Sequence, residues 1–504
     1  MNRTKKVKLS ILASLVGQII SIICGLIVPR ILISTYGSEI YGATASITQF
    51  LAYISLLEGG IGGVGRAALY KPLAENDVDT VNRIISEISF FFRIVSLVFV
   101  FYTFVLAVSY KSISHVEGLD WYTSALLVIV ISFSTLVQYY FGISRSVLVA
   151  ADQRAYIAYL ISIITLPINM IMVVLLSRAG VSIVWVKLVS SCIFILRPIF
   201  LTFYVKRNYP YNFNLKYKKN SSALPQKWTG LGQHIAYFLH SNTDVVVLTL
   251  FTNLKLVAVY AVYIMVINAV QNIVLSFANG MEAVFGDMIA RNEKEKLDHS
   301  FNYFDTLISI VSCILFSCTL VLLIPFVKIY TSGIKDTNYI YPVFSVVIIM
   351  AAFLYCIRIT YQNLIVAANH FAQTKLGAYG EVLINIVLSI VFVMKYQITG
   401  VAIATLIAVL FRYLYFSAYL SNNIIYKSVS YFIKRFFINM CSLAIIIIPG
   451  FLIIDRMEIA NYYQWFIIGV LTALYAGIIT LTLNYLFYKE DFKSILLRLG
   501  LTRK

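Results

Sequence analysis

The sequence predicts an all-α polytopic membrane protein of about fourteen transmembrane helices, arranged as two six-helix lobes plus an appended pair. Three observations predict it. Of the 504 residues, 60% are apolar and only 12% charged. That is about half the charged fraction of a soluble domain, which excludes an aqueous globular chain, and the apolar content excludes disorder. Long continuous runs rich in Leu, Ile and Val recur, each with the ~20 residues needed to cross ~30 Å of hydrocarbon. A membrane β-barrel would show short alternating segments instead. Finally, 36 Tyr and 34 Phe supply the aromatic residues that gather at membrane–water interfaces.

The expected spans are residues 9–34, 40–65, 84–110, 121–148, 155–177, 181–204, 229–251, 256–284, 301–330, 338–366, 376–395, 399–420, 432–454 and 462–487. Several exceed the minimum length, which implies tilt or extension beyond the bilayer. The basic segment before the first run resembles the start of a signal peptide, but no small-residue cleavage site follows, so the run reads as a retained span. The six cysteines all lie in apolar runs without CxxC or Cys/His spacing, which marks them as packing residues rather than disulfide or zinc partners.

Orientation follows from Lys and Arg. With the N-terminus inside, the inner segments carry 26 of them and the outer loops six. The net charge of +18 therefore marks one face of a membrane rather than a nucleic-acid partner. An even number of spans puts both termini in the cytoplasm. The longest loop divides the chain into an N-lobe (1–205, spans 1–6), a basic cytoplasmic inter-lobe loop (206–228), a C-lobe (229–422, spans 7–12), and spans 13–14 with a tail (423–504). Asp491–Leu499 is suited either to an amphipathic helix on the anionic inner leaflet or to a solvated basic tail.

An internal repeat supports the two lobes. Ser146–Gln153 aligns with Asn363–His370 at an offset of 217, and Ala179–Val184 with Thr399–Ala404 at 220. Gly59 and Gly65 align with Gly280 and Gly286 at 221. Six spans per block is an even number, so both halves insert alike, as a parallel repeat. Two like lobes leave a central cavity, the usual substrate site of a rocking transporter.

No G-x-x-x-x-G-K-[ST] motif occurs and no loop is long enough for a nucleotide-binding domain, which excludes ATP hydrolysis by this chain. Gly59-Gly-Ile-Gly-Gly-Val-Gly65 lies in a span and reads as a site of close helix packing or a flexible point. There is no G-x-S-x-G, no H-E-x-x-H and no paired-carboxylate loop, and the outer loops are short. The expectation is a protein that is not an enzyme and has no cofactor.

Pro29-Arg-Ile-Leu-Ile-Ser-Thr-Tyr-Gly-Ser-Glu-Ile-Tyr-Gly42 and Leu56-Leu-Glu-Gly-Gly-Ile-Gly-Gly63 resemble the opening signature of polysaccharide flippases. So does Ser241-Asn-Thr-Asp244 followed by Val259-Tyr260. These Wzx-type proteins, which export O-antigen and capsule units, belong to the multidrug/oligosaccharidyl-lipid/polysaccharide superfamily, and the fourteen-span plan is similar over nearly the whole chain. The resemblance implies a bacterial inner-membrane protein that moves an undecaprenyl-diphosphate-linked oligosaccharide from the inner to the outer leaflet. Its partners would be membrane lipids, a polysaccharide polymerase and chain-length machinery. The alternatives are a flippase for a lipid-linked peptidoglycan or teichoic-type precursor, and a membrane glycosyltransferase or polymerase.

Ionisable residues inside the spans are functional candidates by default. Arg145, Arg358 and Arg412 lie near the expected cytoplasmic ends, where a diphosphate head would load, and guanidinium groups suit phosphate oxygens. With Arg30 of the first signature segment and Glu58 of the second, they form the expected substrate set. Arg93, Arg197 and Lys328 read as side chains that snorkel to the interface. Without ATP, directional transport requires an ion gradient or removal of product. Asp244 on the seventh span, Glu381 and Asn385 at i and i+4 on the eleventh, and Thr405 on the twelfth offer hard oxygen ligands for a Na⁺ or H⁺ coupling site. The competing reading of Asp244 is a structural pair with a buried base such as Arg412. Proton coupling through His234 and His240 competes with plain polar packing.

The orientation predicts that a reporter active only outside the cytoplasm, fused after Lys504, is silent. An active fusion would invert the topology.

Overall fold

A computed structural model describes residues 3–58, 61–210, 231–425, 427–457 and 459–492. Among the described residues the chain is helical and contains no strand. Twelve of the helices are long and apolar enough to cross a membrane. One of these, of 53 residues, is two spans merged across a kink at Gln397 (φ 48°, ψ −128°). A further 21-residue helix, Leu231–Phe251, covers the expected seventh span. Each of the fourteen expected spans thus has a helical counterpart, in a multi-pass membrane protein.

The chain packs as two units, residues 1–258 and 259–504. The first holds α1 (Arg3–Tyr36), α2 (Ser38–Ala52), α3 (Ile61–Glu75), α4 (Val78–Ser114), α5 (Trp121–Val137), α6 (Ile143–Ala151), α7 (Tyr156–Arg178), α8 (Ile183–Asn208) and α9 (Leu231–Phe251). The second holds most of α10 (Leu254–Ala278), then α11 (Met281–Ala290), α12 (Lys294–Tyr330), α13 (Pro342–Ile357), α14 (Ile359–Ala367), α15 (Phe371–Asn423), α16 (Val429–Arg456) and α17 (Tyr462–Phe487). The boundary falls after α9, later than the expected inter-lobe loop at 206–228. The reason lies in polar contacts on α2: Gln49 hydrogen-bonds Asn242, and Thr249 Oγ1 donates to Ser46 Oγ at 2.9 Å. The loop itself lies outside the described residues from 211 to 230, as does most of the expected tail helix Asp491–Leu499.

Helix starts follow from capping chemistry. Asp77 accepts from the Thr80 amide at 3.0 Å to open α4, Asp120 from Thr123 at 3.3 Å to open α5, and Asn461 from Gln464 at 2.9 Å to open α17. These bonds fill amides that have no partner within the helix. Hydrogen bonds from Thr80 and Thr123 hold the Asp77 and Asp120 carboxyls below the ordinary aspartate value. A depressed carboxyl stabilises the fold above its unfolded pKa, and that contribution disappears as pH falls through the folded one.

The repeat is written in the backbone. Left-handed residues close corresponding turns: Asn76 and Asn292, His115 and Gly333, Gln153 and Asn369, Gly180 and Gln397, pairs 216 to 218 residues apart. This corrects the sequence alignment in two places. The turn after α6 puts Asn369 in register with Gln153, not with Asp152, and Gly180 matches Gln397 rather than Gly400. The second expected span of each half is also broken. α2 runs into a 3₁₀ turn over Tyr53–Glu58 and restarts as α3 at Ile61, while α10 stops at Gly280 (φ 89°) and restarts as α11. Glycine-rich sequence is a poor helix interior. The expected close packing of the glycine run holds at Gly65, whose α-carbon faces Ile88, but Gly62 and Gly63 face open space.

The signature segment 29–42 has a structural account. Gly37, at φ 85°, is the left-handed break between α1 and α2. The Glu39 carboxylate accepts from the amides of Glu117 and Gly118 at 2.7 and 3.1 Å, pinning the α4–α5 loop. At Gly42 a Cβ would overlap the carbonyl of Leu254. One end of this unit is tied by Asp152, which takes Lys6 Nζ at 2.9 Å, Arg154 Nε at 2.7 Å and the Tyr209 hydroxyl at 2.7 Å. Those bonds join the start of α1, the α6–α7 turn and the end of α8.

Gly42→Ala is expected to lower the yield and melting temperature of the folded protein, because backbone rather than a flexible side chain must move. Unchanged melting in detergent would remove the Leu254 contact as a constraint.

Candidate functional site

The second unit gathers three charges at membrane depth. Arg358 sits at the break between α13 and α14, where its own φ/ψ (−79°, −7°) ends the first helix. Glu381 lies on the first arm of α15 and Arg412 on the second. Arg358 Nη2 is 2.9 Å from Glu381 Oε1, and Arg412 Nε is 3.9 Å from Glu381 Oε2. All three side chains are buried, at 4%, 8% and 6% exposure. The Arg412 guanidinium lies 4.3 Å from the centroid of the Phe416 ring, and that of Arg358 4.9 Å from Tyr355. Aromatic faces suit guanidinium in a desolvated setting. Two cations thus share one carboxylate. Nε and Nη1 of both arginines are buried without a hydrogen-bond partner.

One turn along α15, Asn385 Nδ2 donates to Thr405 Oγ1 at 3.0 Å across the kink, and Thr405 in turn donates to the Val401 carbonyl at 3.0 Å. Asn385 is fully buried, and its Oδ1 lacks a hydrogen-bond partner. That oxygen is of the kind a hard cation uses. Glu381 is less suited to the same ion, because two guanidinium groups already surround it. Asp244, buried at 5% exposure on α9, belongs to the first packing unit. Arg412, the base considered for Asp244, is engaged with Glu381. The side chains of His234 and His240 lie outside the described residues.

In the first unit, Arg145 is buried at 8% exposure and donates from Nη1 to the Phe141 carbonyl at 2.5 Å. It follows a π-helical turn, Gln138–Gly142. From that turn the Tyr139 hydroxyl donates to the half-buried Glu58, so the π-helical turn before α6 and the 3₁₀ turn after α2 share a polar contact. Arg30, one residue after the Pro29 inside α1, is half-buried. The structure therefore brings Arg358, Arg412 and Glu381 together, pairs Asn385 with Thr405, and holds Glu58 near the helix that carries Arg145.

One charge pair escaped the sequence reading. Arg435, one of the 26 basic residues counted with the inner segments although it stands at the start of the expected span 432–454, is 1% exposed on α16 and lies 3.3 Å from Asp305 on α12, which is equally buried. Its guanidinium covers the Tyr488 ring at 4.1 Å, and Asn439 Nδ2 donates to Ser309 Oγ at 3.3 Å one turn away. This polar seam fastens α16 to α12. The available signal was a basic residue four positions before an Asn on an otherwise apolar helix.

No family model matches the chain, and no curated protein matches it in sequence. Solved structures do match in fold. The lipid II flippase MurJ, in an inward closed conformation, superposes with a TM-score of 0.70 at 16% identity, covering 95% of this chain and 99% of its own. An inward-facing multidrug resistance MATE transporter of the MOP superfamily gives 0.62 at 14% identity, covering 84% and 99%. A MOP superfamily transporter from Pyrococcus furiosus gives 0.54 at 15%, covering 85% and 98%. The chain thus has the all-α fold that a lipid II flippase and MATE transporters share.

Glu381→Gln leaves two buried guanidinium groups with no carboxylate. Removing one partner of a buried pair costs about 3–5 kcal/mol, so the melting temperature in detergent is expected to fall clearly. Melting equal to wild type would show that the ion pair contributes nothing to the fold.

Proposed function

We propose that this protein is a flippase that carries a lipid-linked oligosaccharide, joined through a diphosphate to an undecaprenyl-type lipid, from the inner to the outer leaflet of a bacterial plasma membrane by alternating access. The observation that carries the reading is the surplus of buried guanidinium over carboxylate at Arg358, Glu381 and Arg412. A polar head with many hydroxyls and a diphosphate crosses hydrocarbon at negligible rate unaided, since each unpaired polar group costs several kcal/mol. A cationic interior with unfilled N–H donors lowers that barrier for an anionic head. An exporter of cationic drugs requires carboxylates instead. Arg145 and Arg30 serve the same head from the first unit, and Glu58 positions its hydroxyls.

A second reading shares the chemistry but not the sugar. The matched share of this chain is 95% with the lipid II flippase and 84% with the MATE transporter. That gap is about the size of α16 plus α17. It favours a flippase over a drug exporter and keeps a peptidoglycan precursor as the competing cargo. Energy coupling is proposed through Na⁺ or H⁺ at Asn385 and Thr405 in the second unit, with Asp244 of the first unit as a separate candidate. Polymerase and chain-length proteins are the proposed downstream partners.

Proteoliposomes loaded with a fluorescent undecaprenyl-diphosphate oligosaccharide test the reading. Wild-type protein is expected to move it to the opposite leaflet, and Arg358→Gln or Arg412→Gln to slow it at least tenfold, with Lys restoring activity only in part because an ammonium cannot chelate bidentately. Asp244→Asn is expected to remove any dependence on imposed Na⁺ or pH gradients while sparing cargo binding. Full activity in both Gln variants would discard the cationic path. Transport of lipid II alone would reassign the cargo.

A further inference from the structure

A second basic group, Arg197, stands apart from the residues of the proposed transport path. It lies on α8, eleven residues before the helix ends at Asn208. At 1.5 Å per residue that is about 16 Å along the axis, beyond the reach of an arginine side chain toward that end. The snorkelling expected from the sequence therefore does not describe it.

Instead the side chain is built into a wall. Arg197 Nε donates to Thr165 Oγ1 on α7 at 2.8 Å. Thr165 is itself fixed, donating to the Ile161 carbonyl at 2.9 Å. The guanidinium stacks 4.5 Å from the centroid of the Phe194 ring. These contacts lock the plane of the fork, while Nη2 is left buried without a hydrogen-bond partner. The fork borders an open cavity of about 410 Å³ lined by α5, the π-helical turn, α6, α7 and α8. Beside Arg197 its polar lining is Ser134, Thr135, Gln138, Ser146 and Ser162, and none of the described lining residues is acidic.

This combination defines a ligand by chemistry. A fixed cation at membrane depth is costly without a counter-charge, and no carboxylate borders the cavity to supply one. Hydroxyl and amide side chains add donors around the guanidinium, the donor set that phosphate oxygens take up. The volume is more than ten times the ~30 Å³ share of one water, room for a phosphate with a substituent attached. We propose that this cavity, within the first unit, is a binding site for a phosphate-bearing anion, with Arg197 as its charged anchor and Ser146 and Ser162 as hydroxyl donors. The anion is either a lipid headgroup or a free phosphate ester. The site stands whether or not the flippase reading does, since Arg358, Arg412 and Glu381 take no part in it.

The test uses the purified full chain in detergent with two probes, radiolabelled inorganic phosphate and oleoyl-lysophosphatidate, followed by equilibrium dialysis. Wild-type protein is expected to bind either or both. Arg197→Gln is expected to lose about one equivalent of bound probe, or to weaken that class of site at least tenfold. The loss of a charge-assisted bond, ~1.5–3 kcal/mol, corresponds to such a factor. Arg197→Lys should fall between the two. A Ser146→Ala/Ser162→Ala double variant keeps the Arg197–Thr165 contact and should weaken binding about threefold to tenfold with unchanged melting. Lysophosphatidate binding far tighter than phosphate assigns the site to a lipid headgroup, and equal affinities assign it to a free phosphate ester. The proposal is overturned if neither probe binds, or if stoichiometry and affinity are the same in wild type, Arg197→Gln and the double variant.

Discussion

Hydrocarbon cannot hydrate a charge, and the interior of this protein is arranged around that constraint. Arg358 and Arg412 share the Glu381 carboxylate across the α13–α14 break and both arms of α15. Asp305 and Arg435 pair between α12 and α16. Each contact ties segments far apart in sequence at a depth where water offers no substitute. Transmembrane helices gain little from apolar contact with one another, because lipid is as apolar as leucine. Polar contacts of this kind therefore fix which helices are neighbours and at what register. The large exposed apolar residues of α1 and α17, such as Leu12 at 60% and Leu474 at 60%, face outward and fix nothing beyond burial in lipid.

The repeat solves a second problem, how to turn a chain at the membrane surface. Asn, His, Gln and Gly in left-handed conformation close the turns at matching places in both halves. The turn between α6 and α7 is also bonded in the same manner as its counterpart. Arg154 Nη1 donates to the Tyr204 hydroxyl at 3.2 Å, and His370 Nδ1 lies 2.8 Å from the Tyr419 hydroxyl. In each half the last helix of the block is thereby linked to the turn before the fifth span. The side chains differ and the contact persists, which explains why aligning letters placed this turn one residue out of register.

Much of the fold was legible because hydropathy is a local property. The helical spans depend on residues adjacent in sequence. What was not legible depends on partners distant in sequence. Arg435 follows Lys434 near the start of the expected span 432–454, and nothing local separates a solvated Arg from one aimed at Asp305, 130 residues earlier. Glu381 looked like an ion ligand from its spacing to Asn385, yet Arg358 and Arg412 approach it from other helices. The signature around Gly42 was recognisable as a pattern, but its cause, a carbonyl at Leu254 too close for any Cβ, is visible only in three dimensions. The π-helical turn at Gln138–Gly142 leaves no mark in composition at all.

The placement of carboxylates also separates the two units chemically. In the second, a carboxylate accompanies each of the most buried bases, so removing an arginine there disturbs the fold as well as any cargo. In the first, Arg197 leans on a threonine hydroxyl. Neutral acceptors orient a guanidinium without cancelling its charge. A base held this way keeps its attraction for an anion, whereas one paired with Glu or Asp has surrendered most of it. Arg197 is held in this way in the first unit, whereas Glu381 partly neutralises Arg358 and Arg412 in the second.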